Sequence, residues 1–141
     1  MDSGRADSKR IFTLLWAAFI VQVVGRLLDF RWHVTHDGFE TARDQVHAHW
    51  LMWLGNLSIL TISVWGVRSR PADEQQRGYL VVLWSNVLLG VVSVMHFIQH
   101  LNNQEVDWAH IALAVTNLGS VWGVVMVTLA RRGGATEALG K

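Results

Sequence analysis

The chain has no cysteine, one proline (Pro71), one tyrosine (Tyr79) and few charges. Without cysteine there is no disulfide and no thiolate metal site, and the redox compartment is left open. With a lone proline, nothing interrupts long helices outside the stretch around position 71. Charged residues make up 16% of the chain, against about 25% in a soluble domain. The formal net charge of +1 supplies no basic face, so no nucleic-acid partner is expected. Neither a glycine-rich phosphate loop nor a nucleophile elbow occurs.

What is present is apolar: 51% of the 141 residues are hydrophobic and eight are tryptophan. Four segments have the roughly 20 apolar residues that a bilayer crossing needs: 11–30, 46–67, 79–100 and 108–130. The first follows Arg5, Lys9 and Arg10 as a signal peptide would, but it lacks a small-residue cleavage site and is expected to be retained. The expected fold is all-α: one four-transmembrane-helix bundle over 11–130, running up-down-up-down. Residues 1–10 form a short N-terminal tail, and 131–141 (RRGGATEALGK) a disordered one.

Basic residues set the orientation. Arg5, Lys9, Arg10, Arg68, Arg70, Arg77, Arg131, Arg132 and Lys141, nine of the twelve, fall on the side of the termini and the 68–78 turn. The positive-inside rule then puts both termini in the cytoplasm of a plasma or inner membrane. All seven histidines fall at the opposite, non-cytoplasmic ends of the spans: His33, His36, His47, His49, His96, His100 and His110. Six of the eleven acids join them: Asp29, Asp37, Glu40, Asp44, Glu105 and Asp107.

Each span carries a polar stripe at the three- and four-residue spacing of helical neighbours. The stripes are Gln22/Arg26/Asp29/His33, Gln45/His49/Asn56/Ser63, Asn86/Ser93/His96/His100 and His110/Asn117/Ser120. Unpaired polar groups are costly in hydrocarbon, so the stripes should face one another. Gly119-x-x-x-Gly123 offers close approach, and Trp32, Trp50, Trp53 and Trp108 suit an interfacial belt. Asn56 and Asn117 are expected to lie deeper than the histidine cluster and to hold helices together.

Several spacings suit metal ligation. Asp44-x-x-His47 and Asp107-x-x-His110 each place a carboxylate and an imidazole on one helix face, and His96 and His100 lie one turn apart. Paired acid-x-x-His motifs hold two ions in di-metal bundles, an analogy of architecture alone. Nitrogen and oxygen donors without thiolate suit iron, zinc, copper or manganese. His96, His100 and His110 are the leading ligands, and His33, His49 and His47 follow. Asp44 and Asp107 are ligands, partners that orient imidazoles, or helix caps. Arg26 and Asp29 are expected to form an ion pair, because an intramembrane arginine needs a partner.

Two functional readings follow. The first is a metal-dependent, dinuclear oxidoreductase acting on an apolar or amphipathic substrate, with Glu40 as general base. The second is non-catalytic: a haem-b-binding, metal-handling, proton-responsive or accessory subunit, within a homo-oligomer or a larger membrane complex.

Overall fold

The computed structural model describes residues 3–35, 42–69, 73–102 and 107–139. They form four helices: α1 (Ser3–Thr35), α2 (Ala42–Arg68), α3 (Glu74–Leu101) and α4 (Asp107–Leu139). All four contain a segment long and apolar enough to cross a membrane: Asp7–Trp32, His49–Arg68, Glu74–Gln99 and Trp108–Gly133. Their outward faces are greasy, with Leu27, Phe30, Leu57, Trp84, Ile111, Leu118 and Trp122 all exposed. That surface matches lipid, since water would leave too much apolar area unburied.

The helices overrun the expected spans. α1 begins at Ser3, within the expected tail, and α4 continues to Leu139 through the segment read as disordered. The cause is local: once a long helix exists, each further residue adds a hydrogen bond without a new nucleation cost. Ala135, Glu137, Ala138 and Leu139 include strong helix formers. At the start of α3, Asp73 caps the helix by accepting the Gln76 backbone N–H at 2.7 Å. The Gln76 side chain donates to the Val67 carbonyl at 3.0 Å and so ties the new helix to the end of the old one.

Packing is uneven around the bundle. α1 lies against α2 and α3 against α4 over long contacts, α2 meets α3 less extensively, and α1 barely touches α4. Glycine allows the close contacts. A Cβ at Gly25 would stand 2.5 Å from the Met52 backbone nitrogen, and one at Gly123 would stand 2.7 Å from that of Val82. Gly119 and Gly123 do line the α3–α4 contact, where a Cβ at Gly119 would meet Ser85 Oγ. One apolar core draws on all four helices: Ile11, Leu15, Ala18, Ile59, Tyr79, Val82, Val124 and Val127. Beside it, the Arg131 guanidinium lies 4.3 Å above the Phe12 ring and joins α4 to α1.

Beyond that core the interior turns polar. Gln22 Nε2 donates to Asn86 Oδ1 at 2.9 Å, and Asn86 Nδ2 donates to Ser120 Oγ at 2.8 Å and to the Val82 carbonyl at 2.8 Å. Asn86 is fully enclosed, so one carboxamide links α1, α3 and α4 away from any solvent. The other stripe asparagines behave differently. Asn117 donates to the Leu113 carbonyl of its own helix, and Asn56 Oδ1 is buried without a hydrogen-bond partner among the described residues. Asn86→Ala should therefore lower stability by about 1–2 kcal/mol, the upper range for hydrogen bonds between membrane helices. Asn117→Ala should cost less than about 0.5 kcal/mol. Unfolding in mixed detergent micelles would compare them, and equal losses would contradict the bridging role of Asn86.

Candidate ligand cavity

Next to the polar bridge, toward the histidine-bearing ends, the four helices enclose a cavity of about 410 Å³. Each helix contributes through its polar stripe. α1 supplies Arg26, Asp29 and Phe30, α2 His49 and Met52, α3 Ser93 and His96, and α4 His110, Leu113, Ala114 and Asn117. On α4 the lining positions recur at three and four residues from 110 to 117, so one face looks inward for two turns. Asn117, two turns along α4 from His110, lines the inner end of the same cavity.

The polar groups form two pairs. His49 Nε2 lies 3.2 Å from Asp29 Oδ1, and His49 is buried. The two atoms stand within ion-pair range, but Oδ1 accepts no hydrogen bond among the described residues, so the contact is one of charge when His49 is protonated. Trp53 packs against this ring, nearly parallel at 5.8 Å between centroids, and meets Phe97 of α3 edge-on at 5.5 Å. Expected in the interfacial belt, Trp53 instead forms part of the α2–α3 contact that seats His49. Trp50 and Trp108 are exposed as a belt requires. The second pair is His96 with His110, whose ring centroids lie 4.7 Å apart at 75°. His96 is buried, whereas His110 is exposed.

Among the sequence candidates, the structure brings His49, His96, His110, Arg26 and Asp29 to one cavity. It pairs Asp29 with His49 across α1 and α2. Arg26 feels the Asp29 charge through space, but its Nε and Nη2 have no hydrogen-bond partner among the described residues. Asp44 sits in the first turn of α2, where a carboxylate suits the helix dipole. His47 on the same helix is exposed, and neither residue lines the cavity. Glu40 and His36 lie outside the described residues, as do the side chains of His33, His100 and Asp107.

No known family, curated protein or solved structure matches this chain. Its chemistry therefore has to be read from the cavity. Nitrogen and oxygen donors converge there from four helices, but among the described residues no three His, Asp or Glu side chains stand close enough to share one ion. Two imidazoles, an imidazole–carboxylate pair and one guanidinium face a common space. Sequence spacing identified the histidines. The cross-helix Asp29–His49 pairing had no local signal.

A double-mutant cycle tests the pairing directly. Asp29→Asn with His49→Gln should show a coupling of about 1 kcal/mol, typical of contacting polar partners. Asp29→Asn with Arg26→Gln should couple less strongly in the same unfolding measurement. A reversed order would restore the Arg26–Asp29 ion pair as the dominant contact.

Proposed function

We propose that this is an integral membrane protein that holds a divalent transition metal in the cavity and uses it on an amphipathic substrate, as an oxidoreductase. The observation that carries this reading is the His96–His110 pair: imidazoles on two different helices, 4.7 Å apart between ring centroids, at the wall of the cavity. Those two residues would hold the ion, and the absence of thiolate suits iron, zinc, copper or manganese. The Asp29–His49 pair supports the reading, because a carboxylate beside an imidazole is a common arrangement around metal-bound histidine. Bound metal would supply Lewis acidity or redox chemistry. The protein's own part is to set two imidazoles, keep Asp29 on His49, and keep bulk water out with four helices.

In this proposal the bundle runs up-down-up-down. Close approaches of Gly25 to Met52 and of Gly55 to Gln22 support opposed directions for α1 and α2. Those of Gly78 to Val127 and of Gly123 to Val82 do the same for α3 and α4. Basic residues at the termini favour a cytoplasmic location for them, with the cavity toward the other face. The donor set among the described residues suits one ion better than two. Bis-imidazole haem ligation by His96 and His110 is disfavoured, since rings in direct contact leave no room for a porphyrin between them.

Elemental analysis and an absorption spectrum of gently extracted protein test the proposal together. Roughly one transition-metal ion per chain is expected, with no haem band. His96→Ala and His110→Ala should each lose the ion, whereas His47→Ala, outside the cavity, should keep it. Metal-free wild-type protein, or full retention in both cavity variants, would overturn it.

A further inference from the structure

Arg26 is left unexplained by a metal site. Its guanidinium lines the cavity, yet Nε and Nη2 are enclosed with no hydrogen-bond partner among the described residues. Asp29 offsets part of the charge at a distance, but Asp29 is set against His49 at 3.2 Å and supplies none of the missing hydrogen bonds. An arginine within a membrane span normally faces a partner or a water-filled cavity, and it marks a binding function by default. A planar guanidinium is best completed by two oxygens of one carboxylate or phosphate.

The surroundings narrow the kind of anion. Ser93, His96, His110 and Asn117 give the cavity polar ground, whereas Phe30, Met52, Leu113 and Ala114 give it apolar walls. Its volume of about 410 Å³ falls in the range of small-molecule sites and exceeds what a lone inorganic anion fills. It is also unsealed on one side. α1 and α4 both line it but barely touch one another, and Phe30 and Ala114, one on each helix, are exposed. A mostly apolar chamber with a few converging polar groups, and a seam facing lipid, fits a ligand with a charged head and a hydrocarbon tail.

We infer that the cavity takes the anionic head of a single-headed membrane amphiphile, a carboxylate or phosphate paired with Arg26, whose tail leaves between α1 and α4. The assignment stands on Arg26 and the open seam. It holds whether or not His96 and His110 carry an ion.

The test uses the full chain in phosphatidylcholine nanodiscs, with binding of radiolabelled oleate counted against empty discs. Oleate should bind saturably and be displaced by monooleoyl phosphatidate, but not by acetate or inorganic phosphate. Methyl oleate, which keeps the tail and loses the charge, should bind about tenfold more weakly or worse. Arg26→Gln should weaken oleate to a similar degree, and Arg26→Lys less, because an ammonium keeps the charge without the fork. Ala114→Trp places a large ring in the seam at an already exposed position and should block oleate while leaving the fold intact. It decides the matter if Arg26→Gln does not fold. Metal content should be unchanged in the Arg26 variants, so failure of the metal reading and failure of this one are told apart.

Equal binding of oleate and methyl oleate, or undiminished binding to both Arg26→Gln and Ala114→Trp, would overturn the inference. Displacement by inorganic phosphate or acetate alone would mark an aqueous anion site and also overturn it. Discs holding two chains and no oleate would show the seam closed by a second copy, with the same consequence.

Discussion

The constraint on which the structure depends is that a carboxamide inside hydrocarbon must find its partners within the protein. Asn86 satisfies it by accepting from Gln22 on α1 and donating to Ser120 on α4. Three helices are thereby held in rotation about their own axes. The consequence reaches the cavity, because residues on one helix face recur at three, four and seven positions. Arg26 and Asp29 lie four and seven residues beyond Gln22. Ser93 and His96 lie seven and ten beyond Asn86, and Asn117 and His110 lie three and ten before Ser120. Turning Asn86 inward also turns the ionisable groups inward. α2 stands outside this network, and its position follows from the close backbone approach that Gly25 and Gly55 permit.

The two halves of the bundle do different work. One is closed by an apolar core from all four helices, with Arg131 over Phe12 joining the first helix to the last. The other holds paired polar groups around open space, with little contact between α1 and α4. A dry, packed half gives stability through burial and close contact. A half with unfilled volume and an under-bonded guanidinium gives some of that stability up, a common property of ligand sites. The division explains why polar residues concentrate where helix packing is least complete.

Much of this was legible beforehand because membrane helices are read from local rules. Length and apolarity marked four spans, and the three- and four-residue stripes identified Gln22, Asn86, Ser93, His96, His110 and Ser120 as inward-facing. His49 and Asn56 were found the same way. Other features were not legible. Trp53 looked like an interfacial anchor, since nothing in its neighbours indicated Phe97 on α3. Asp29 was assigned to Arg26 because they sit one turn apart, and nothing local indicated its further contact with His49 on the facing helix.

By itself, then, the sequence determined four helices and the face of each that avoids lipid. Hydrocarbon forces backbone groups to bond within each helix, and a period of 3.6 residues sorts side chains by face. Tertiary structure decided which polar groups meet across helices: Asp29 with His49, and His96 with His110. Those pairings depend on the rotation and sliding of whole helices. Both are set by a few long-range contacts, the Asn86 bridge and the glycine approaches, whose partners lie too far apart in the chain for any local pattern to reveal.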